Sequence, residues 1–173
     1  KIEEYTVGND YLLDLALVKY DCQASIAHAE MLEEIGVLDE NEVRQVVEEL
    51  DHIITLAEEG QFDISPQQED CHTAIENHLT QQLGDLGKKI HTARSRNDQV
   101  VTALRLYYRD QLERMTALVH EFLAALEGVR KQFGDVEIPG YTHTRKAMPS
   151  SVTLWTGAFR ESMQENLRAV EHV

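Results

Sequence analysis

The sequence predicts an all-α protein, and three observations support this prediction. Apolar residues recur every three or four positions through most of the chain, which is the period of an amphipathic helix. Turn-forming residues are scarce, with three prolines and nine glycines among 173 residues. No segment alternates apolar and polar residues as a half-buried strand does. We therefore predict helices as the regular structure of this chain.

The first two helices are predicted from apolar spacing and from their end signals. An Ala- and Leu-rich segment over residues 12–35 stops at Gly36, a residue type that commonly follows the last turn of a helix. Asp39 and Glu42 have the spacing of a capping box, and they precede the next run of regularly spaced apolar residues. The second helix is therefore predicted over residues 40–59.

A third helix is predicted after the loop that begins at Gly60. Ser65, Pro66 and Gln68 match a cap, a first helical position and a capping partner, and Gly84 marks the expected end. The sequence after this helix contains a cluster of polar and basic residues.

The longest apolar pattern predicts one helix over residues 98–133, about 54 Å long at 1.5 Å per residue. A helix of that length is too long for a domain of this size to bury alone, so it requires partner helices. The segment 134–149 is expected to be a loop, followed by a last helix that runs to the end of the chain. The apolar residues of the long pattern are Val101, Leu104, Tyr108, Leu112, Met115, Val119, Phe122, Leu126, Val129 and Phe133.

The charge distribution excludes some classes of partner. The formal net charge is −15, with 21 acidic and 3 basic residues in positions 1–87 but 10 acidic and 13 basic residues in positions 88–173. A nucleic-acid-binding protein would show a basic surface, so no nucleic acid is expected as a partner. No run is apolar enough for a membrane helix, and the N-terminal residues lack the apolar core of a signal peptide. We expect a cytoplasmic protein with no membrane partner.

The first segment that could form part of a functional site runs from Lys88 to Gln99. This loop offers ammonium, imidazole, hydroxyl, guanidinium and amide groups directly before a long helix, whose N-terminus favours anions. Arg94 and Arg96 provide forked donors suited to carboxylates, and Asn97 adds an amide. A purely structural interpretation remains open, in which Ser95 or Asn97 caps the helix and both arginines lie on the surface.

The second segment runs from Pro139 to Lys146. His143 can transfer protons near neutral pH, and the adjacent Thr142 hydroxyl can bind a carboxylate. The pair therefore suits acid–base chemistry on an acidic substrate, although a loop histidine can also be merely structural or exposed.

At these two segments the sequence resembles the argininosuccinate lyase family of the fumarase/aspartase superfamily. HTARSRNDQV, at positions 91–100, is close to the form that distinguishes this lyase, and GYTH at 140–143, with a proline six positions after the histidine, is similar to its second conserved loop. Supporting matches occur in family order at residues 25–32, 70–76 and 84–89. The resemblance implies an N-terminal helical domain over residues 1–92 and, over residues 93–173, the start of a central helical bundle, here incomplete.

The resemblance also implies a reaction and a set of site residues. The family eliminates arginine from argininosuccinate to give fumarate, without a cofactor or a metal, on a dicarboxylate substrate. Members are homotetramers in which three subunits each lend one conserved loop to every site. By position, His143 is catalytic as an acid, as a base or by tuning another group, and Ser95, Arg96, Asn97 and Thr142 bind the substrate. Five further residues are expected near the site, namely Asp70, His72, Arg94, Tyr141 and Arg145.

Several departures and alternatives accompany this interpretation. Arg145 and Met148 stand where the family has glutamines, and nothing in the chain matches the third conserved loop, whose serine is thought to take the proton. We therefore expect a fragment without turnover of its own. Other interpretations are a related lyase acting on adenylosuccinate or malate, and a non-catalytic scaffold such as the family's lens crystallins. Cys71, His72 and Glu76 have metal-ligand spacing, but no metal is expected, and both cysteines are expected to be buried thiols.

Overall fold

A computed structural model describes Tyr5 and residues 7–173 of the chain. Part of the N-terminal segment used in the signal-peptide prediction, residues 1–4 and 6, lies outside the described residues. The structure consists of helices and one small hairpin, in the order α1 (Asp10–Leu13), a 3₁₀ turn (Asp14–Ala16), α2 (Val18–Glu34), α3 (Glu40–Glu58), α4 (Cys71–Leu83), α5 (Asp85–Lys89), α6 (Arg96–Phe133), β1 (Glu137–Thr142), β2 (Arg145–Ser151) and α7 (Val152–Val170).

The contacts divide the chain into two compact units, Lys1–Tyr108 and Arg109–Val173. The long helix α6 begins in the first unit and continues into the second. The domain boundary placed between residues 92 and 93 stays a prediction about the whole protein. Among the described residues, no helix combines the length and apolar character needed to cross a membrane.

The first unit has one apolar core, formed mainly by α2, α3 and α4. Leu32, Leu50 and Ile75 are at most 1% exposed, and burial of such a side chain contributes about 1.5–3 kcal/mol. Gly87 of α5 lies against the backbone of α4 at Leu79, where a Cβ atom would collide with the carbonyl group. This close approach places the end of α5, and therefore the start of the first loop, directly beside α4.

Two helix starts were predicted with different success. The capping box of α3 is confirmed, since Asp39 Oδ1 accepts from the Glu42 amide at 2.8 Å and Glu42 Oε2 accepts from the Asp39 amide at 3.1 Å. The predicted start of the third helix at Pro66 was wrong. Ser65 and Gln68 do form hydrogen bonds, but they close a separate turn, because Glu69 adopts φ 70° and interrupts the helical path. Helix α4 begins instead at Cys71, capped by Asp70.

The predicted single helix over residues 12–35 is also divided. Residues 10–16 form a short helix and a 3₁₀ turn, and the continuous helix begins at Val18. The carboxylate of Asp14 lies in this irregular part and accepts a hydrogen bond from the Cys71 amide at 3.2 Å. Asp14, which the apolar spacing had placed within a continuous helix, thus makes a tertiary contact with the first residue of α4. Gly36 has φ 75°, which confirms its place after the helix end.

The second unit contains the end of α6, the hairpin and α7. The long helix was predicted over 98–133 and is observed over Arg96–Phe133, which is about 57 Å. Ser151 Oγ caps α7 by accepting from the Leu154 amide at 3.1 Å. Large apolar side chains on both helices of this unit are 43–65% exposed, and we call them the exposed apolar face: Met115, Leu118, Phe122, Leu154, Trp155 and Phe159.

The prediction of a loop over residues 134–149 was wrong, because the structure forms an antiparallel hairpin there. Strands β1 and β2 pair from Glu137–Ser151 to Thr142–Arg145, with an irregularity next to Gly140. Most side chains of both strands are exposed, so neither face buries the alternating apolar residues from which a strand is ordinarily recognised. Backbone pairing and the turn define this element instead.

Candidate active site

Ser95 caps the long helix at the end of the first loop. Its amide and hydroxyl donate to Asp98 Oδ2 at 2.9 and 2.8 Å, and the Asp98 amide donates back to Ser95 Oγ at 3.3 Å. These two donors to its carboxylate, the Ser95 amide first, lower the pKa of Asp98. The capping interpretation of Ser95 is therefore confirmed. Asn97 lies exposed in the first turn of α6, where helix N–H groups are available to an anion.

Arg94 and Arg96 are half-buried, so the interpretation of both as surface residues was wrong. Arg94 Nη1 donates to the buried Ser25 Oγ of α2 at 3.0 Å. Burial lowers the pKa of Arg94, and the nearby Asp21 and Glu76 carboxylates act in the opposite direction. Both arginines are therefore held by packing within the first unit and do not extend freely into solvent.

Arg96 contacts the first turns of α4 with two of its nitrogens. Nη2 donates to Thr73 Oγ1 at 3.4 Å, and Nη1 lies 3.4 Å from Glu76 Oε1. The same Glu76 oxygen lies 3.2 Å from Nδ1 of His91 in the first loop. Helix α4 thus provides a polar surface that the side chains of His91 and Arg96 contact.

A buried polar group lies beneath this surface, on α2, α4 and α6. His72 Nδ1 lies 2.9 Å from Asp21 Oδ2, and Gln99 Nε2 donates to the two Asp21 oxygens at 3.3 and 3.4 Å. All three residues are at most 2% exposed. Sequence reasoning missed Asp21 and Gln99. Gln99 lies on the side of the predicted long helix opposite its apolar stripe, so the helical pattern gave no sign that it would be buried.

Asp70 and His72 occupy different positions relative to the first loop. Asp70 Oδ1 accepts from the Thr73 amide at 2.7 Å and so caps α4, the helix that carries His72, Thr73 and Glu76. His72 points inward to Asp21. In this unit both residues organise the helix on which the loop rests.

A possible metal-ligand group involves a different acid from the one considered in the sequence. The ligand atoms of Asp21, Cys71 and His72 lie within 4.8 Å of one another, and Glu76 is not among them. Burial, followed by the nearby Asp21 carboxylate, raises the pKa of the Cys71 thiol, and the thiol is not the metal-binding form. Cys22 and Cys71 are both buried and free, as expected. Hydrogen bonding already accounts for Asp21 and His72, and we assign no metal here.

A cavity of about 350 Å³ opens beside the first loop in the same unit. His28 lies in its wall and donates through Nε2 to the Thr92 carbonyl at 3.0 Å. Burial and the nearby Arg94 lower the pKa of His28, which favours the neutral imidazole. The other residues lining the cavity are Ala24, Ala27, Ala93, Arg94, Asp98, Gln99 and Thr102.

The second loop is the turn of the hairpin, and His143 lies at its tip. Thr142 pairs with Arg145 across the strands, so His143 and Thr144 are the two central turn residues, with φ 47° and 65°. A two-residue turn of this type normally uses Asn or Gly, and a β-branched residue at positive φ is an outlier. Such residues each cost about 1–3 kcal/mol and cluster at functional sites. All four expected site residues of this segment, Tyr141 included, are exposed.

The expected site residues therefore fall into two groups. Asp70, His72, Arg94, Ser95, Arg96 and Asn97 lie in the first unit, and Tyr141, Thr142, His143 and Arg145 lie in the second. The first group presents guanidinium, hydroxyl and amide donors at a helix N-terminus, and the second presents an imidazole beside hydroxyls. The first group has the chemistry to bind carboxylates, and the second has the chemistry to move a proton.

A family model described as "Lyase" matches residues 5–173. The chain belongs to the lyase family. It is 50% identical over all 173 residues to the argininosuccinate lyase of Thermotoga neapolitana and 43% identical over 171 residues to that of Parabacteroides distasonis. It spans 44% and 38% of these two relatives, that is, less than half of their length. The resemblance to argininosuccinate lyase inferred from the two loops is confirmed.

Solved structures of lyases have the same fold. A fumarate lyase:delta crystallin structure from Brucella melitensis is 23% identical, with a TM-score of 0.75 over 91% of this chain and 39% of its own. An EDDS lyase variant with bound fumarate is 27% identical, with a TM-score of 0.76 over 98% of this chain and 33% of its own. The all-α prediction is confirmed, and the residues that the structure describes add one small hairpin to it.

Proposed function

We propose that these residues form the N-terminal part of an argininosuccinate lyase, which cleaves argininosuccinate to arginine and fumarate in arginine biosynthesis. The observation that carries the proposal is the pair of loops, one rich in carboxylate-binding donors and one with a strained, exposed histidine. Both loops lie within a chain that is 50% identical to a protein named argininosuccinate lyase. A related structure holds fumarate, a dicarboxylate of the expected product class.

The chemistry of the elimination assigns a role to each group. A base removes a proton from the carbon beside a carboxylate, the electron pair forms the double bond of fumarate, and the C–N bond to arginine breaks. Charge accumulates on that carboxylate, where aligned donors stabilise it. We assign Ser95, Arg96, Asn97 and Thr142 to the substrate carboxylates and His143 to proton transfer or its control. For Ser95 this assignment requires its hydroxyl to exchange the Asp98 carboxylate for that of the substrate.

The remaining expected residues support this arrangement. Asp70 caps α4, and His72 forms a buried contact with Asp21. Arg94 links the first loop to α2 through its hydrogen bond to Ser25. Tyr141 and Arg145 flank the catalytic turn from β1 and β2, and we place them at the edge of the substrate site.

We further propose a cytoplasmic homotetramer with no cofactor, no nucleic-acid partner and no membrane partner. The exposed apolar face supports an oligomer, since apolar patches of this kind mark protein interfaces.

The test uses the full-length protein that contains these residues. It is given argininosuccinate, adenylosuccinate and malate in parallel, and fumarate formation is followed by its ultraviolet absorbance. We expect fumarate from argininosuccinate alone, and no turnover from residues 1–173 by themselves, because the serine-bearing loop is absent from them. Fumarate from adenylosuccinate or malate instead would assign another reaction, and no product from any of the three would favour a non-catalytic scaffold.

A further inference from the structure

Glu76 lies at the centre of the polar contacts between α4 and the first loop. We propose that Glu76 is a positioning residue that orients the Arg96 guanidinium toward a substrate carboxylate. This inference rests on the proposed function for the role of Arg96 as a carboxylate ligand. It adds a residue that does not itself touch the substrate but acts through one that does.

Three separate segments meet at one oxygen of Glu76. Its Oε1 lies 3.2 Å from His91 Nδ1 in the first loop and 3.4 Å from Arg96 Nη1 on α6. Glu76 itself belongs to α4, one turn after Thr73, whose hydroxyl accepts from Arg96 Nη2. Thr73 and Glu76 therefore contact both terminal nitrogens of the same guanidinium from one helix face.

Two contacts from one side are sufficient to orient a guanidinium. The group is planar and carries five N–H donors in a rigid fork, so contacts at Nη1 and Nη2 restrict rotation of the whole plane. The N–H groups not used by α4 remain available to a carboxylate. The Arg96 side chain is 36% exposed, which leaves it accessible from the solvent side, and that of Glu76 is 28% exposed.

The contact between Glu76 and Arg96 is an ion pair without hydrogen-bond geometry. Arg96 Nη1 and Glu76 Oε1 are both shielded from solvent, and neither has a hydrogen-bond partner within the part of the chain that the structure describes. Shielded polar atoms of this kind ordinarily find partners. Glu76 therefore holds the shielded Nη1 side of the guanidinium by charge, and the exposed part of the Arg96 side chain is the part that remains for a ligand.

Removing the charge of Glu76 distinguishes its proposed positioning role from a purely electrostatic effect on the substrate. A carboxylate next to a dicarboxylate site repels the substrate, so if charge alone mattered, Glu76→Gln would tighten binding and lower KM. If Glu76 orients Arg96, the same substitution releases the guanidinium and raises KM. The two explanations thus predict opposite signs.

The chain offers a matched control in the Glu49–His78 pair. Glu49 Oε1 on α3 lies 2.6 Å from His78 Nε2 on α4, and the two side chains are 20% and 21% exposed. Like Glu76, Glu49 is a partly buried acid paired with a histidine in the first unit, but it has no place in either loop. Glu49→Gln therefore reports the cost of losing such a pair without disturbing Arg96.

The experiment compares full-length wild type, Glu76→Gln, Glu76→Asp and Glu49→Gln by kcat, KM for argininosuccinate and thermal unfolding. We expect Glu76→Gln to raise KM about tenfold, the value of one charge-assisted contact, with a smaller fall in kcat. Glu76→Asp keeps the charge and should recover part of the loss. Glu49→Gln should leave KM within about twofold of wild type.

Calorimetric binding of fumarate to the same proteins separates this inference from the proposed function. Wild type that binds fumarate but does not cleave argininosuccinate would contradict the proposed reaction alone, and about tenfold weaker fumarate binding by Glu76→Gln would still support positioning. An unchanged or lower KM or Kd in Glu76→Gln, or no fumarate binding by wild type, would overturn the inference. If Glu76→Gln does not fold, a wild-type KM and Kd in Glu76→Asp would overturn it equally, and weakened values would support it.

Discussion

The two loops hold their polar side chains in contrasting ways. In the first, side chains are anchored to the interior of their unit, because Arg94 reaches the buried Ser25 and Arg96 lies against Thr73 and Glu76. In the second, the side chain of His143 is exposed at the tip of a hairpin, and its direction is defined by the backbone of a two-residue turn.

This difference implies different sensitivities to substitution. A site supported by buried polar contacts is coupled to folding, since removing a partner leaves a desolvated group unpaired. A site presented by an exposed turn is coupled mainly to chemistry, because the side chain contributes little to packing. Measuring activity and stability together for variants of each loop therefore tests this difference.

The largest effect is expected at the exposed turn. In the full-length enzyme, His143→Asn should lower kcat by about 10²–10⁴-fold, the usual contribution of a positioned acid–base group. Because His143 is exposed, helicity by circular dichroism and the unfolding temperature should remain those of wild type. Retained turnover would remove His143 from the mechanism. If His143→Asn also lowered the unfolding temperature substantially, the second loop would be coupled to folding as the first is, and the proposed difference between the loops would be wrong.

A large effect on stability is expected beneath the first loop. Asp21→Ala leaves His72 and Gln99 buried without their shared acceptor, and breaking a buried pair in this way costs about 3–5 kcal/mol. Urea unfolding of the full-length protein measures the loss.

Asp21→Asn provides the control for this substitution, because the amide keeps one oxygen acceptor and should lose less. If Asp21→Ala lowered the free energy of unfolding by less than about 1 kcal/mol, the Asp21 contacts would be no stronger than a surface ion pair. That result would contradict the conclusion that buried polar contacts support the first loop.

The smallest effect is expected from relief of strain in the turn. Thr144 has φ 65°, so Thr144→Gly should stabilise the protein by about 1 kcal/mol, even though glycine is more flexible in the unfolded chain. Lys146→Gly, on the adjoining strand, should instead destabilise it by about 0.5–1 kcal/mol. Thermal unfolding of the two variants decides the sign. Destabilisation by both would indicate that the turn is not strained.

Local signals predicted the helices where the decisive residues are neighbours in sequence. The α3 capping box joins residues three apart, and so does the Ser95–Asp98 pair at the start of α6. The same reasoning placed a helix start at Pro66 with Ser65 as its cap, where the expected side-chain contact forms but the chain turns away at Glu69. Local hydrogen bonding is therefore compatible with more than one continuation of the chain.

The hairpin escaped prediction for a different reason. Its two strands are mostly exposed on both faces, so no apolar alternation is present, and its turn uses His143 and Thr144 where asparagine and glycine are usual. The segment was singled out as a candidate site loop by its residue types and by its resemblance to the family's second conserved loop. Its strand structure was not recognised.

By itself, the sequence determined the all-α class, the long helix and the identity of the two loops, because periodicity and short motifs depend on neighbouring residues. Only the tertiary structure decided which groups support the first loop. Asp21 and His72 are 51 positions apart, and Asp21 and Gln99 are 78 apart, so these contacts arise only when three helices pack together. The orientation of Arg96 by Glu76 depends on the same packing, which places α4 beside the start of α6.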